Sequence, residues 1–166
     1  MQYTELGSSG LTVSRLAFGA STFTSGDQSL PGFYKAGPQV AAALVGQAID
    51  GGITYFDTAD VYAGGQSEQL LGEILRPNRS QVLIATKCLA RMGPGVNDLG
   101  ASRKHIIEAC EASLKRLGTD YIDLYQIHNQ DLIVPPEETL RALDDLVRAG
   151  KVRYTGSSNH AGWTKM

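Results

Sequence analysis

Four side chains could move a proton onto a reacting oxygen, and they stand at separate places in the chain: Asp57, Tyr62, Lys87 and His128. Asp57 ends the apolar run Ile53-Thr54-Tyr55-Phe56, and Tyr62 follows it by five residues. Lys87 ends Val82-Leu83-Ile84-Ala85-Thr86, and His128 ends the run 121–127. A tyrosine is a weak acid of pKa ~10 that a neighbouring ammonium makes a better proton donor. Lys87 can supply that charge, Asp57 can hold and balance it, and His128 can hydrogen-bond a substrate oxygen. Such a set suits the reduction of a carbonyl, which needs a hydride from a nicotinamide and a proton for the developing alkoxide. Each residue alone also has an ordinary reading. Asp57 suits a loop start, Tyr62 a surface aromatic, Lys87 a solvated strand end and His128 a structural histidine.

The elements that must position these residues follow from the pattern. Gly7-Ser8-Ser9-Gly10 reads as the turn of a hairpin over residues 2–14. Residues 16–20 read as a buried strand, followed by a long polar loop over 21–37. From Pro38 apolar residues fall at 40, 41, 44, 45, 48 and 49, one face of a helix that stops at Gly51. A strand over 53–57 comes next, then a helix from Ser67 ended by Pro77. A strand over 82–87 leads into a glycine-rich loop, 88–101. Ser102 caps a third helix with apolar positions 106, 107, 110, 114 and 117 and a stop at Gly118. A strand over 121–127 precedes a fourth helix that opens at Pro135-Pro136, apolar at 140, 143, 146 and 147, and residues 152–156 form a last strand.

Strands alternating with helices predict a parallel sheet with helices outside. An open dinucleotide-binding sheet would carry GxGxxG after its first strand, and Gly19-Ala20-Ser21-Thr22-Phe23 does not match. The expectation is α/β of the (β/α)8 barrel type, with about five βα units over 16–157, preceded by the hairpin, in a single domain over 1–166. Polar groups at the C-terminal ends of the strands are where such barrels keep their active sites.

Four segments carry a resemblance: residues 55–62 (YFDTADVY), 84–87 (IATK), 123–128 (DLYQIH) and 150–159 (GKVRYTGSSN). In order and spacing they are similar to those of the aldo-keto reductases. The resemblance spans nearly the whole chain but only the N-terminal half or so of the family's length. It implies an NADP(H)-dependent barrel reducing small-molecule aldehydes and ketones, with Tyr62 as proton donor assisted by Lys87, Asp57 and His128. It also implies that Ser158 and Asn159 hold the nicotinamide carboxamide, although both residue types also favour helix N-caps. Ala20 and Ser21 stand where the family often has Thr-Trp under the cofactor, so only backbone contact is expected there.

Composition narrows the alternatives. Fifteen basic and 17 acidic residues give a net charge of −2 with no basic run, which offers nothing to a nucleic acid or an acidic membrane. No apolar stretch approaches the roughly 20 residues of a membrane helix. Two cysteines without a CxxC suit a reducing cytoplasm. No HxH or clustered carboxylates point to a metal. Cys88 should face away from Lys87, Cys110 should be core, and Asp131 is read as loop structure. Phe23, Phe33 and Tyr34 either line a substrate pocket or pack the loop, and Trp163 is expected to pack the start of a fifth helix. A barrel of five strands has eight-stranded relatives of ~250 residues, so its first and fifth strands are expected to be open edges that favour self-association. The second reading is therefore a non-catalytic half-barrel serving as an oligomeric or binding scaffold.

Overall fold

The computed structural model describes residues 1–26 and 35–162. An antiparallel hairpin opens the chain, β1 (Tyr3–Glu5) and β2 (Thr12–Ser14), with Thr4 opposite Val13. The Leu6 N–H donates to the Leu11 carbonyl across the glycine turn at 2.8 Å. Five parallel strands follow: β3 (Ala17–Gly19), β4 (Tyr55–Asp57), β5 (Leu83–Cys88), β6 (Ile122–Ile127) and β7 (Val152–Ser157). They lie side by side in chain order. The connections carry α1 (Pro38–Asp50), α2 (Gln66–Leu75), α3 (Arg103–Leu117) and α4 (Pro136–Arg148), and each helix packs on the next. The predicted alternation is therefore the observed one.

The two ends of the sheet differ. At the N-terminal end the bonds are structural. Ser14 and Thr54 exchange backbone-to-hydroxyl bonds of 3.2 and 3.1 Å that fasten the hairpin below β4. Asp123 on β6 accepts from the Ile84 N–H and pairs with Arg79. At the C-terminal end the ladder runs on past the strands and fixes the loops described below.

The core lies between sheet and helices, where Phe56, Ile84, Ile106, Leu117 and Tyr125 are buried. Ser102 accepts from the His105 N–H as the expected cap of α3. One expectation needs correction, and two helices are less covered than their apolar faces would allow. β3 is not a buried strand: Ala17 and Gly19 are exposed, because β3 pairs on one side only among the described strands. In α1 the apolar face is only half covered, with Ala41, Val45 and Ala48 buried but Val40 and Leu44 exposed. In α4, Leu143 and Leu146 are buried while Leu140 is 63% exposed. Both helices flank the row, so each has a helical neighbour on one side only among the described residues. Pro77 lies in a short 3-10 turn, Arg76–Gln81, that follows α2. Phe33, Tyr34 and Trp163 lie outside the described residues. No helix among those described is long and apolar enough to cross a membrane.

α2 comes close to the C-terminal end of α3 at Gly72. A methyl group there would come within 2.2 Å of the Leu117 carbonyl oxygen of α3. That oxygen belongs to backbone and cannot rotate away. Gly72→Ala is expected to destabilise the chain by about 3 kcal/mol, the upper range for overpacking. A urea midpoint equal to that of the unmodified chain would contradict this close approach.

Candidate active site

Consecutive strands hand each other their loops by backbone hydrogen bonds. The Ala20 N–H donates to the Asp57 carbonyl at 2.8 Å, and the Asp60 N–H to that of Lys87 at 3.1 Å. The His128 N–H donates to Cys88 and the Ser158 N–H to Ile127, both at 2.9 Å. Backbone bonding thus continues one to three residues past the strand ends and places every predicted site residue at the same end of the sheet.

Lys87 is the centre. Its side chain is almost wholly buried, and its ammonium donates to Asp57 Oδ2 at 2.6 Å and to the Thr58 carbonyl at 2.7 Å. The next residue, Cys88, points the other way, into the core beside Tyr125, as strand alternation requires. Burial pushes its thiol well above the ordinary cysteine range, so it stays protonated and unreactive.

Tyr62 comes to Lys87 through a sharp turn. It opens a 3-10 segment, Tyr62–Gly65, in which Ala63, Gly64 and Gly65 all have positive φ. At Gly65 the turn requires glycine twice over: φ is +94°, and a Cβ would lie 2.7 Å from the Arg116 side chain. The Lys87 ammonium lies 5.2 Å from the centre of the half-buried Tyr62 ring, within cation–π range. His128 stands edge-on to the same ring, with centroids 5.7 Å apart and planes at 80°. Burial and then the Lys87 charge lower the His128 pKa against the opposing pull of Asp57, so its ring is neutral at pH 7. Tyr55, a second phenol near Asp57, is pushed up to about 12 by burial and by that carboxylate.

The structure brings Asp57, Lys87, Tyr62 and His128 into one cluster. Ser158 and Asn159 lie beside it after β7. The Asn159 amide donates to the His128 carbonyl at 2.9 Å and to Ser158 Oγ at 3.1 Å, with Asn159 in a left-handed conformation. Ala20 is fully buried, and its backbone is engaged within the protein. Its N–H meets Asp57, and its carbonyl accepts from Phe23 and Ser67. Ser21 is exposed at the same end. Phe23 is buried against Phe18 and packs the loop. Asp131 is structural, as read: it accepts backbone N–H bonds from Ala101, Ile133 and Val134. Two partners escaped the sequence. The Thr58 carbonyl carries no side-chain signal. Glu68 looks like a surface helix residue but is fully buried against Thr86 and Arg116.

Two outcomes follow. Asp57→Ala leaves a buried ammonium with only the Thr58 carbonyl and is expected to cost about 3 kcal/mol of stability, measurable by urea denaturation. An unchanged midpoint would contradict the pair's role. For His128, the folded chain holds the neutral form, so its contribution is present above about pH 6.5 and is lost as pH falls through the lower folded value. Its ring protons should titrate below the usual histidine midpoint in an NMR series, and a midpoint at or above it would contradict the burial described.

Comparisons with known proteins bear on the family and the fold. The family model "Aldo/keto reductase family" matches residues 15–166. A probable voltage-gated potassium channel subunit beta from Arabidopsis thaliana is 42% identical over 95% of this chain and 46% of its own length. Versiconal hemiacetal acetate reductase from Aspergillus parasiticus is 39% identical over 98% of this chain and 52% of its own. Among solved structures, the aldo-keto reductase AKR11C1 from Bacillus halodurans, in its holo form, superposes with a TM-score of 0.83 at 35% identity. The match covers 96% of this chain and 50% of that one. The chain spans about half the length of the curated relatives it matches. Its five-stranded parallel sheet matches part of the (β/α)8 barrel of those reductases, and the chain belongs to the aldo/keto reductase family.

Proposed function

We propose that this site serves the NADP(H)-dependent reduction of small-molecule aldehydes or ketones to alcohols. The observation that carries the reading is the buried Lys87 ammonium, fixed by Asp57 and Thr58 and within cation–π range of the Tyr62 ring, with His128 T-shaped against the same ring. Tyr62 donates the proton to the oxygen of the carbonyl. Lys87 stabilises the phenolate left behind, because a fixed positive charge in a site of low dielectric acts strongly on a new negative one. Asp57 and Thr58 keep that charge in place through turnover. His128 is neutral, so it orients the substrate oxygen by hydrogen bonding without adding charge.

The residues after β7 fit a nicotinamide carboxamide. Asn159 is tethered through its amide nitrogen, which directs its donor side to His128 and leaves Oδ1 as an acceptor. Ser158 adds a hydroxyl that both donates and accepts. Ser21 is the reachable member of the Ala20–Ser21 pair. A bound nicotinamide supplies the hydride. A reducing, cytoplasmic setting accords with the two free, buried cysteines.

A second reading rests on the sheet edges. Among the described strands, β3 and β7 each pair on one side only, and unpaired edges are templates for other chains. A chain that self-associates there, as a scaffold rather than a catalyst, is expected to bind NADPH weakly or not at all.

The test uses this chain and one extended to the length of its relatives. NADPH oxidation is followed with a simple aromatic aldehyde, alongside NADPH titration and light scattering. Tyr62→Phe is expected to lower kcat by about 10²–10⁴-fold while leaving NADPH affinity unchanged. Full turnover in that variant would sink the assignment. A monodisperse monomer of this chain with tight NADPH binding would sink the scaffold reading.

A further inference from the structure

A cavity of about 130 Å³ lies beside the turn that carries Tyr62, and none of Asp57, Tyr62, Lys87 or His128 lines it. Its wall includes Asp60 from the turn, Asp98 from the loop after β5, and His105, Glu108 and Arg116 from α3. Asp60 is fully buried and His105 is 4% exposed. Among the described residues, the buried side-chain atoms without a hydrogen-bond partner are Asp60 Oδ1, Asp60 Oδ2 and His105 Nε2. All belong to residues of this one cavity.

Their chemistry is uniform. A hydrogen bond to the Ala90 backbone favours a proton on the other ring nitrogen of His105, and burial holds the ring neutral. Nε2 is then a bare acceptor, and the Asp60 carboxyl offers at most one proton between its two unpartnered oxygens. Arg116 does not answer them through its Nε or Nη2, which are engaged by Glu68 and Ser113. Among the described residues no group of His, Cys, Asp and Glu could hold a metal ion. The site therefore calls for a small neutral donor. Its volume far exceeds the ~10–15 Å³ that one water needs, and buried acceptors of this kind are regularly met by water.

We propose that this cavity is a hydrated, proton-holding site. Water bonded to the Asp60 carboxyl and to His105 Nε2 fastens the Tyr62 turn to α3, and loss of the Asp60 proton shifts that turn. Asp60 is thus a positioning residue for Tyr62; the catalytic consequence rests on Tyr62 being the proton donor, but the coupling itself does not. The path is short. The Asp60 N–H binds the Lys87 carbonyl, the Tyr62 N–H binds the Ala59 carbonyl at 3.2 Å, and the three positive-φ residues follow at once.

The charges around Asp60 set the direction. Burial first, then Glu68 from α2, push its carboxyl up to about 7. Arg116, the Val61 N–H and Lys87 on β5 act against this. Asp98 and Glu108 line the same cavity, while Cys88 on β5 and Tyr125 on β6 are neutral neighbours whose protons burial retains. Between about pH 4 and about pH 7 an unfolded chain has released the proton that the folded chain keeps. Folded stability therefore falls as pH rises through that window and levels off above it.

The test is a carbon-detected NMR titration of the full chain and of Asp60→Asn. The expected result has four parts. The Asp60 carboxyl titrates near pH 7, and the Tyr62 ring signals shift with the same midpoint. Water cross-peaks appear at the Val61 or Asp60 amide. In Asp60→Asn the Tyr62 shift disappears, and the variant gains thermal stability over the parent by several degrees from about pH 4 to about pH 7. An Asp60 midpoint near 4, a Tyr62 ring indifferent to it, or an absence of water cross-peaks would overturn the proposal. If Asp60→Asn does not fold, the titration of the parent chain decides alone. None of these signals depends on turnover, so a failed reductase assay and a failed coupling are told apart.

Discussion

An ammonium buried at the end of a sheet is the constraint on which the rest of this molecule depends. Removing Lys87 from water costs several kcal/mol unless its charge is paired and its protons are bonded. Asp57 and the Thr58 carbonyl meet that demand, one at the end of β4, the strand paired with β5, and the other just past it. The site therefore exists only when β4 and β5 are paired in the observed register, with Asp57 level with Ala85. A slip of one residue would turn Lys87 toward the helices and Cys88 toward Asp57. Register, burial and chemistry are one condition here.

The fold around that pair is arranged to keep the loops in place at one end. Backbone bonds carry the ladder beyond the strands at Ala20, Asp60, His128 and Ser158. The Tyr62 turn is held differently. Its left-handed residues need support, and Arg116 supplies it by packing over Gly65 while pairing with the buried Glu68 of α2. A second buried ion pair thus stands behind the first. The opposite end of the sheet, with the hairpin and the Arg79–Asp123 pair, bears no group of the cluster. This division of labour is the usual one for β/α units.

Much of this was legible in the residues. Asp57, Lys87 and His128 each terminate an apolar run, so strand periodicity alone puts them at one edge, and Tyr62 follows within a loop too short to carry it far. Cys88 could be assigned to the core by alternation, and Asp131 to loop structure. Other features had no sequence signal. The Thr58 carbonyl is backbone, and Glu68 and Asp60 are residue types that normally face water. For α1 and α4, periodicity reports which residues can face a core and not whether a neighbour covers them. Val40, Leu44 and Leu140 are exposed for that reason. The same holds for β3: an apolar run does not reveal that it pairs on a single side among the described strands.

The central claim is that Lys87 acts through Tyr62. A double-mutant cycle on kcat tests it most directly, with Lys87→Met, Tyr62→Phe and the double variant in a chain extended to the length of its relatives. Residues that act as a unit are strongly non-additive. The double variant is expected to be no slower than Tyr62→Phe alone. Losses that multiply, the mark of independent roles, would contradict it.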